Sequence, residues 1–372
     1  MRAISWGFNS PPGHMFQKIF DWYERHERHV STLALAGGFI FDNLTLQRID
    51  LLFENLLQIF YLVISGSGII LINYFLENPP KSKFFDRLNH FLPLFIQFTF
   101  GGLFSAFFIF YSRSASLSSS WPFLFVLLFI LIGNEFFKKR YQRMTFQVSI
   151  YFVAIFSFFI FFVPVMLKDM GPSIFILSGI ASLLFISIFS YSLSKLTKGL
   201  FSKSRQNIVI IVSFLYLLIN ILYFLNLIPP IPLSLKEVGI YHNVERVGEN
   251  YILRGEEKLW HSFFKKEVYH QGDGETAFVF SSVFAPTDLN IRILHDWQYF
   301  DEEKNEWVSS GRISFPIRGG RGGGYRGFSQ KTIIWPALWR VDIKTERGQV
   351  IGRINFEVRV TKEEVPLQTT TL

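Results

Sequence analysis

The sequence predicts a polytopic α-helical membrane domain of seven spans followed by a small antiparallel β-sandwich domain. Long runs of Leu, Ile and Phe fill the first 228 residues, and the whole chain is 49% hydrophobic with 45 phenylalanines. That composition is more apolar than soluble domains usually are. After residue 236 the long apolar runs give way to short stretches of β-branched and aromatic residues separated by turn residues, which is typical of strands.

The apolar runs divide into seven stretches that reach, or nearly reach, the ~20 helical residues a bilayer core requires. The stretches are residues 30–47, 51–76, 90–111, 121–137, 146–167, 171–193 and 207–228. The first is the weakest, because it is short and contains Asp42 and Asn43. Residues 1–29 are predicted to be a cytoplasmic or interfacial lead-in, whose segment MFQKIFDWYERHERH is either a helix at the membrane surface or a solvated helix.

Basic residues predict the direction of the spans. Lys and Arg number 4, 1, 3, 1, 4, 1 and 4 in the successive segments outside the spans. By the positive-inside rule the N-terminus is cytoplasmic and the β-domain lies on the opposite side, the periplasm if this is the inner membrane of a bacterium. Residues 1–236 hold 19 basic and 10 acidic residues, whereas residues 237–372 hold 18 and 19. The basic excess therefore reflects membrane topology and not a nucleic-acid-binding surface.

The β-domain is predicted at residues 237–365, after a proline-rich linker at 229–236 and before a tail at 366–372. Two polar segments, DEEKNE at 301–306 and ERGQ at 346–349, predict turns between strands. The predicted strands are residues 276–284, 289–300, 306–317, 338–345 and 349–360.

Several segments of this domain carry a resemblance to a known family. HDWQYFDEE, GGRGGGYRGFSQK and WPALWRVDIKTERGQVIGRINFEV resemble the bacterial DUF2914 family, a domain of unknown function. In the helical half, GGFIFDNLTLQRID is similar to the stretch that precedes this domain in such proteins. The resemblance implies a membrane-anchored, non-cytoplasmic β-domain, and it implies no reaction.

The stretch RGGRGGGYRG at 318–327 has three interpretations. It resembles a nucleic-acid contact, which the predicted topology opposes. It also fits an anion site, in which backbone N–H groups and Arg318, Arg321, Tyr325 and Arg326 meet a lipid phosphate, a lipopolysaccharide phosphate or a cell-wall carboxylate. The third interpretation is a structural loop whose glycines adopt tight turns.

Aromatic residues of the predicted strands are a second set of binding candidates. Trp297 and Trp339 form either part of an exposed row that contacts a partner or part of the sandwich core. On a strand His295 shares a face with Trp297, while Asp296 points the other way, so these neighbours are poorly placed for catalysis as a pair.

Polar residues cluster where the first two predicted spans meet, at the outer membrane surface. They are Asp42, Asn43, Arg48, Asp50 and Glu54. Charges in a span usually face protein or water. The cluster is therefore either a hydrogen-bonded network that closes the helical hairpin or an ion or proton relay.

Three functions remain open. The first is a non-catalytic envelope protein whose β-domain binds a protein or glycan partner. The second is a transporter or channel with Asp42 and Glu54 at its outer mouth, and the third is an enzyme acting on a lipid-linked substrate. The chain has no cysteine, and its histidines show no metal-ligand spacing, so we expect no metal and no cofactor. The expected partners are the lipid bilayer and an envelope protein or cell-surface glycan, with no nucleic acid.

Overall fold

The computed structural model describes residues 37–46, 48, 50–114, 117–136, 143–257, 267–272, 274–286, 289–320 and 322–372. The predicted lead-in and the start of the first predicted span lie outside these residues. The described chain is helical up to Phe224, and its strands begin at Ser234.

Seven helices form the first half of the described chain. They are α1 (37–45), α2 (Leu52–Glu77), α3 (Lys83–Arg113), α4 (Leu117–Phe136), α5 (Met144–Leu167), α6 (Pro172–Leu196) and α7 (Lys198–Phe224). Five of them, α2, α3, α5, α6 and α7, are long and apolar enough to cross a membrane, and α4 contains a shorter apolar segment, Ser120–Gly133. The helices are consistent with a membrane protein, while seven crossings remain a prediction.

Helix α5 lies at the centre of the bundle and packs against α2, α3, α6 and α7. Small residues allow this close packing. A Cβ atom at Gly66 of α2 would lie 2.5 Å from the hydroxyl of Tyr151, which donates to the carbonyl of Leu62 at 3.1 Å. Large apolar side chains such as Phe98 and Phe214 point outward and are exposed. Small residues inside and apolar residues outside are the arrangement expected of helices in lipid.

Eleven strands are found in the described part of the second half. They are β1 (Ser234–Tyr241), β2 (Asn243–Val247), β3 (Asn250–Glu256), β4 (Glu267–Gln271), β5 (Ala277–Phe284), β6 (Asn290–Asp301), β7 (Glu306–Arg318), β8 (Tyr325–Lys331), β9 (Leu338–Thr345), β10 (Val350–Val360) and β11 (Leu367–Thr371). They form three sheets, ordered β1-β5-β8, β4-β10-β9-β6-β7 and β11-β3-β2.

The three sheets stack in layers around the sheet β1-β5-β8. One face of that sheet packs on the five-stranded sheet through residues such as Val279, Trp297 and Phe356. Its other face packs on the small sheet through Phe280 and Leu253. Alternate residues of β5 therefore face different cores, as the period of two along a strand requires.

The structure adds three details to the predicted β-domain. Strand β4 pairs with β10 in parallel, so the five-stranded sheet is mixed and not purely antiparallel. Strand β1 begins inside the predicted linker, at Ser234. Leu235 packs against a second apolar cluster of the β-domain, formed by residues such as Leu233, Val283 and Ile343, which we call the lower core. Residues 367–371 of the predicted tail form β11, which pairs with β3 and makes β3 the central strand of its sheet.

The β-domain rests on one end of the helical bundle. Arg347, in the turn between β9 and β10, lies with its guanidinium carbon 4.0 Å from the ring centroid of Tyr223 near the end of α7. Met170, between α5 and α6, packs against the lower core of the β-domain. Arg48, between α1 and α2, lies over the ring of Phe284 at the end of β5. These contacts place the β-domain beside the helix ends that the charge pattern predicts to be outside the cytoplasm.

Candidate functional site

The outer face of the five-stranded sheet carries a dense set of polar residues. Because side chains alternate along a strand, the core face takes His295 and Trp297 of β6, while Asp296 and Gln298 point outward. The antiparallel register sets Asp296 directly opposite Asp342 of β9. Both aspartates are buried, although they lie on the side of the sheet that faces away from the core.

A lysine and an arginine compensate the two carboxylates. Lys344 Nζ lies 2.7 Å from Asp296 Oδ2 and 3.1 Å from Asp342 Oδ2, so one ammonium group bridges both. Arg353 of β10 donates to both oxygens of Asp342. Ser309 of β7 donates to Asp296 Oδ1 at 2.7 Å. Bidentate and bridged pairs of this kind hold their side chains in fixed positions.

These partners govern the ionisation of the aspartates. Burial opposes the charge of Asp342, but the hydrogen bonds and charges of Arg353 and Lys344 outweigh burial and lower the pKa of its carboxyl group. For Asp296, burial is likewise outweighed by hydrogen bonds, those of Lys344 and Ser309 foremost, so its pKa is also lowered. Both groups are therefore carboxylates at neutral pH.

Further cations extend this surface, which we call the basic platform. Arg340 donates to Gln298 Oε1 at 2.7 Å and lies 4.2 Å above the ring of Trp307. The side chain of Arg312 is 68% exposed and lies 3.5 Å from Asp296 Oδ1. The platform comprises Asp296, Gln298, Trp307, Ser309, Arg312, Arg340, Asp342, Lys344 and Arg353. Four cations against two carboxylates leave it with a net positive charge.

The predicted glycine–arginine loop serves largely as a structural element. A Cβ atom at Gly319 would lie 1.5 Å from the carbonyl oxygen of Pro286, and Gly324 has a φ of +88°. Tyr325 packs against the lower core, and the backbone carbonyl of Arg326 accepts from the Tyr251 hydroxyl at 3.2 Å. Arg318 is exposed at the end of β7, while Arg321 lies outside the described residues.

The two candidate tryptophans lie in the core. Trp297 and Trp339 are both 0% exposed. The indole nitrogen of Trp297 donates to Ser329 Oγ at 3.0 Å, and that of Trp339 donates to the carbonyl of Trp335 at 3.0 Å. Neither ring is available to a partner, so the core interpretation describes them. Trp307, on the basic platform, is half-buried and remains partly accessible at this face.

His295 and Asp296 lie on opposite faces, as the strand periodicity predicts. The imidazole of His295 lies within 2.8 Å of the hydroxyls of both Ser281 and Ser329. Complete burial lowers the pKa of His295 to about 3, so the ring is neutral. The pair does not meet, and no acid–base couple forms between them.

The predicted membrane cluster separates into local contacts. Arg48 forms a bidentate pair with Asp50 at 3.0 and 2.6 Å. Asn43 accepts from Arg113 through its carbonyl oxygen at 3.0 Å and through its side-chain oxygen at 3.2 Å. Asp42 of α1 faces Ser105 of α3. Glu54 is buried, and its Oε2 atom makes no hydrogen bond to any residue that the structure describes.

A histidine–glutamate cluster in the β-domain cannot be recognised from the sequence, because its members are far apart in the chain. His242 lies between Glu275 Oε1 at 2.7 Å and Glu256 Oε1 at 3.3 Å, and His270 contacts Glu256 Oε2 at 2.7 Å. Burial disfavours the charge on His242, but its bonds to Glu256 and Glu275 outweigh burial and raise its pKa. No group of three metal-ligating side chains is positioned to hold a metal ion among the residues that the structure describes.

Comparison with known proteins supports the family resemblance. Residues 290–358 match the family model described as "Protein of unknown function (DUF2914)". This segment runs from β6 to β10 and contains every residue of the basic platform. No curated protein matches the chain. A solved structure of an alkylpurine DNA glycosylase from Pseudomonas fluorescens, bound to DNA containing an abasic site analog, aligns with 80% of this chain and 98% of its own. Its identity is 9% and its TM-score 0.18, values at which the likeness carries no argument.

Proposed function

We propose that this protein is a seven-span inner-membrane protein whose periplasmic β-domain binds an anionic protein or glycan partner through the basic platform, without catalysis. The N-terminus is cytoplasmic in this proposal. The helical bundle anchors the domain, and the platform supplies the binding surface.

The observation that carries the proposal is the surplus of fixed cations on an open sheet face. Burying two opposed carboxylates costs free energy that an apolar pair would avoid. In that arrangement Lys344, Arg353 and Arg340 are held by hydrogen bonds to the platform itself, while Arg312 is 68% exposed to solvent. Preordered cations lose little conformational entropy on binding, and they favour carboxylate or phosphate groups.

The contacts between the β-domain and the helix ends support its proposed location. The domain contacts the α1–α2 turn at Arg48, the α5–α6 turn at Met170 and the end of α7 at Tyr223. The charge pattern assigns all three positions to the outer side, so the contacts and the charge pattern agree.

The ion pairs that Asp296 and Asp342 form within the platform also fit a binding role. Asp296 and Asp342 each accept from cationic partners, which keeps them ionised and leaves them poor general acids. The platform therefore offers charge and shape, and an acid–base couple is not assembled on it.

Binding is tested with the full-length protein in detergent micelles. Peptidoglycan, lipopolysaccharide and polyglutamate are immobilised as probes, and the double variant Arg312→Gln/Arg340→Gln is compared with wild type. We expect retention on at least one probe and a loss of affinity of about tenfold or more in the variant, because charge-assisted contacts are each worth roughly 1.5–3 kcal/mol.

The matched control removes two exposed arginines from the small sheet, Arg246→Gln/Arg254→Gln, and should bind as wild type does. The probe that is retained identifies the partner's chemistry. Wild-type protein that binds none of the probes, or a platform variant that binds as well as wild type, would overturn the proposal.

Transport is a second candidate, supported by buried polar atoms in α2. Glu54 Oε2 and both amide atoms of Gln58 are buried and make no hydrogen bond within the described part of the chain, and the two residues lie one helical turn apart. Uncompensated polar groups at membrane depth often mark an ion path. Transport predicts that Glu54→Gln changes proton or sodium flux into reconstituted vesicles, and unchanged flux would remove it.

A further inference from the structure

Three cations from separate parts of the chain meet at the junction between the bundle and the β-domain. Arg48 follows α1, Arg113 ends α3 and Lys236 belongs to β1. The Arg48 guanidinium carbon lies 4.9 Å and Lys236 Nζ 5.4 Å from the ring centroid of Phe284. These residues line one small pocket, together with Ser114 and Ser234.

Two of the acidic side chains described at this junction, Asp50 and Glu54, interact with Arg48. Asp50 compensates Arg48 through a bidentate pair. Arg113 donates to the carbonyl of Leu46 at 2.6 Å and to the carbonyl of Asn43 at 3.0 Å. Burial, followed by the charges of Arg113 and Arg48, lowers the pKa of Lys236. Among the described residues Lys236 makes no ion pair. The pocket itself has a volume of only about 20 Å³, so an anion would lie at its mouth, where it would relieve the repulsion between like charges.

The glycine-rich loop runs beside Arg48, one of the cations that line this pocket. A Cβ atom at Gly322 would lie 3.7 Å from Arg48 Nη1, so the loop backbone runs beside this guanidinium. Ser282 Oγ donates to the carbonyl of Gly323 at 2.6 Å and ties the loop to β5. The loop and the polar cluster near Arg48, which are far apart in the sequence, are therefore adjacent in the structure.

The pocket lies where the helices end and the β-domain begins. In a bilayer this boundary coincides with the phospholipid headgroups, whose phosphates lie just outside the hydrocarbon core. The apolar helix surfaces beside it, such as Phe53 and Leu52 of α2, are exposed and available to the acyl chains of the same lipid.

We propose that this junction binds the phosphate group of an anionic phospholipid, held by Lys236 and Arg48, with Arg113 adding to the positive charge. The bound headgroup would neutralise the cation cluster and tie the β-domain to the bundle. This inference goes beyond the proposed function, since it does not depend on the basic platform or on any envelope partner.

The test is the thermal stability of the full chain in detergent with added phosphatidylglycerol, phosphatidylcholine or inorganic phosphate. For wild type we expect phosphatidylglycerol to raise Tm at concentrations where phosphatidylcholine does not. Lys236→Gln should bind phosphatidylglycerol about tenfold more weakly, because it loses one charge-assisted contact. Lys236→Arg should retain most of the effect.

Lys304→Gln, an exposed lysine at the far end of the β-domain, is the matched control and should respond as wild type does. Native mass spectrometry of each variant, extracted in mild detergent, counts the retained phospholipids and gives a readout that does not depend on unfolding. An equal rise in Tm with inorganic phosphate would support the pocket and assign it to a free phosphate group. Equal phosphatidylglycerol binding by wild type and Lys236→Gln would overturn the proposal.

Discussion

Asp296 and Asp342 lie directly opposite each other on β6 and β9, and a single ammonium group, that of Lys344, bridges them at 2.7 and 3.1 Å. Like charges placed directly opposite on neighbouring strands repel each other. The sheet tolerates this pair because Lys344 and Arg353 supply the compensating charge.

We therefore expect Lys344→Ala to destabilise the β-domain by about 3–5 kcal/mol, since it leaves two buried carboxylates with too few partners. Denaturant unfolding followed by tryptophan fluorescence measures the change. Lys304→Ala removes a lysine from an exposed pair with Asp301 and should cost no more than about 1 kcal/mol. Equal losses of unfolding free energy in the two variants would show that the Lys344 bridge contributes no more stability than an exposed ion pair.

The stability of the β-domain should fall in mild acid because of His295. The pKa of this ring is about 3 in the folded protein and about 6.5 in an unfolded chain. Between these pH values the His295 ring is protonated in the unfolded state but not in the folded state. Stability is therefore lost as pH falls from about 6.5 toward about 3. Unfolding midpoints measured across this range should fall less steeply for His295→Gln, and parallel pH profiles would contradict the prediction.

Asp296 and Asp342 should affect the pH dependence of stability at lower pH than His295 does. Since the pKa values of Asp296 and Asp342 are depressed in the folded state, their stabilising contribution is complete above their ordinary pKa and is lost as pH falls through their lowered values. Asp342→Asn should therefore flatten the profile of unfolding midpoint against pH below about pH 4 and leave the part due to His295 in place.

The glycine-rich loop offers a matched pair of substitutions. Gly319→Ala drives a methyl group into the backbone of Pro286, where no side chain can move aside, so we expect a loss of about 3 kcal/mol or more. A Cβ atom at Gly323 would meet nothing within 4 Å, and the φ of this residue lies outside the left-handed region, so Gly323→Ala should change stability by less than about 0.5 kcal/mol. Thermal unfolding of both variants checks this, and similar Tm values for the two would be inconsistent with the described loop.

Much of the β-domain can be predicted from sequence because its longest strands are regular. The five predicted strands correspond to β5, β6, β7, β9 and β10 within two residues at each end. Both predicted turns join antiparallel neighbours, with Asn305 at a φ of 52° and Gly348 at 87° supplying the left-handed backbone. The local sequence is therefore sufficient to predict these strands and turns.

Other features depend on contacts between distant residues. Strand β8 begins at Tyr325, inside the glycine–arginine stretch, and its pairing with β5 outweighs the turn preference of its neighbours. Strand β11 consists of exposed residues, Leu367–Thr371, which show no apolar alternation. The basic platform depends on the register of β6 against β9. That register brings Asp296 next to Asp342, although the two residues are 46 positions apart in the sequence. No spacing within either strand reveals that contact.

The side of the membrane on which the β-domain lies tests the central claim most directly. The natural chain has no cysteine, so Ile333→Cys, at an exposed position of the β-domain, and Lys81→Cys, between α2 and α3, each create a single labelling site. The two variants are treated in spheroplasts with a maleimide that does not cross membranes. We predict that Ile333→Cys is labelled in intact spheroplasts and Lys81→Cys only after the membrane is permeabilised. Labelling of Lys81→Cys alone in intact spheroplasts would place the β-domain in the cytoplasm and contradict the proposed topology.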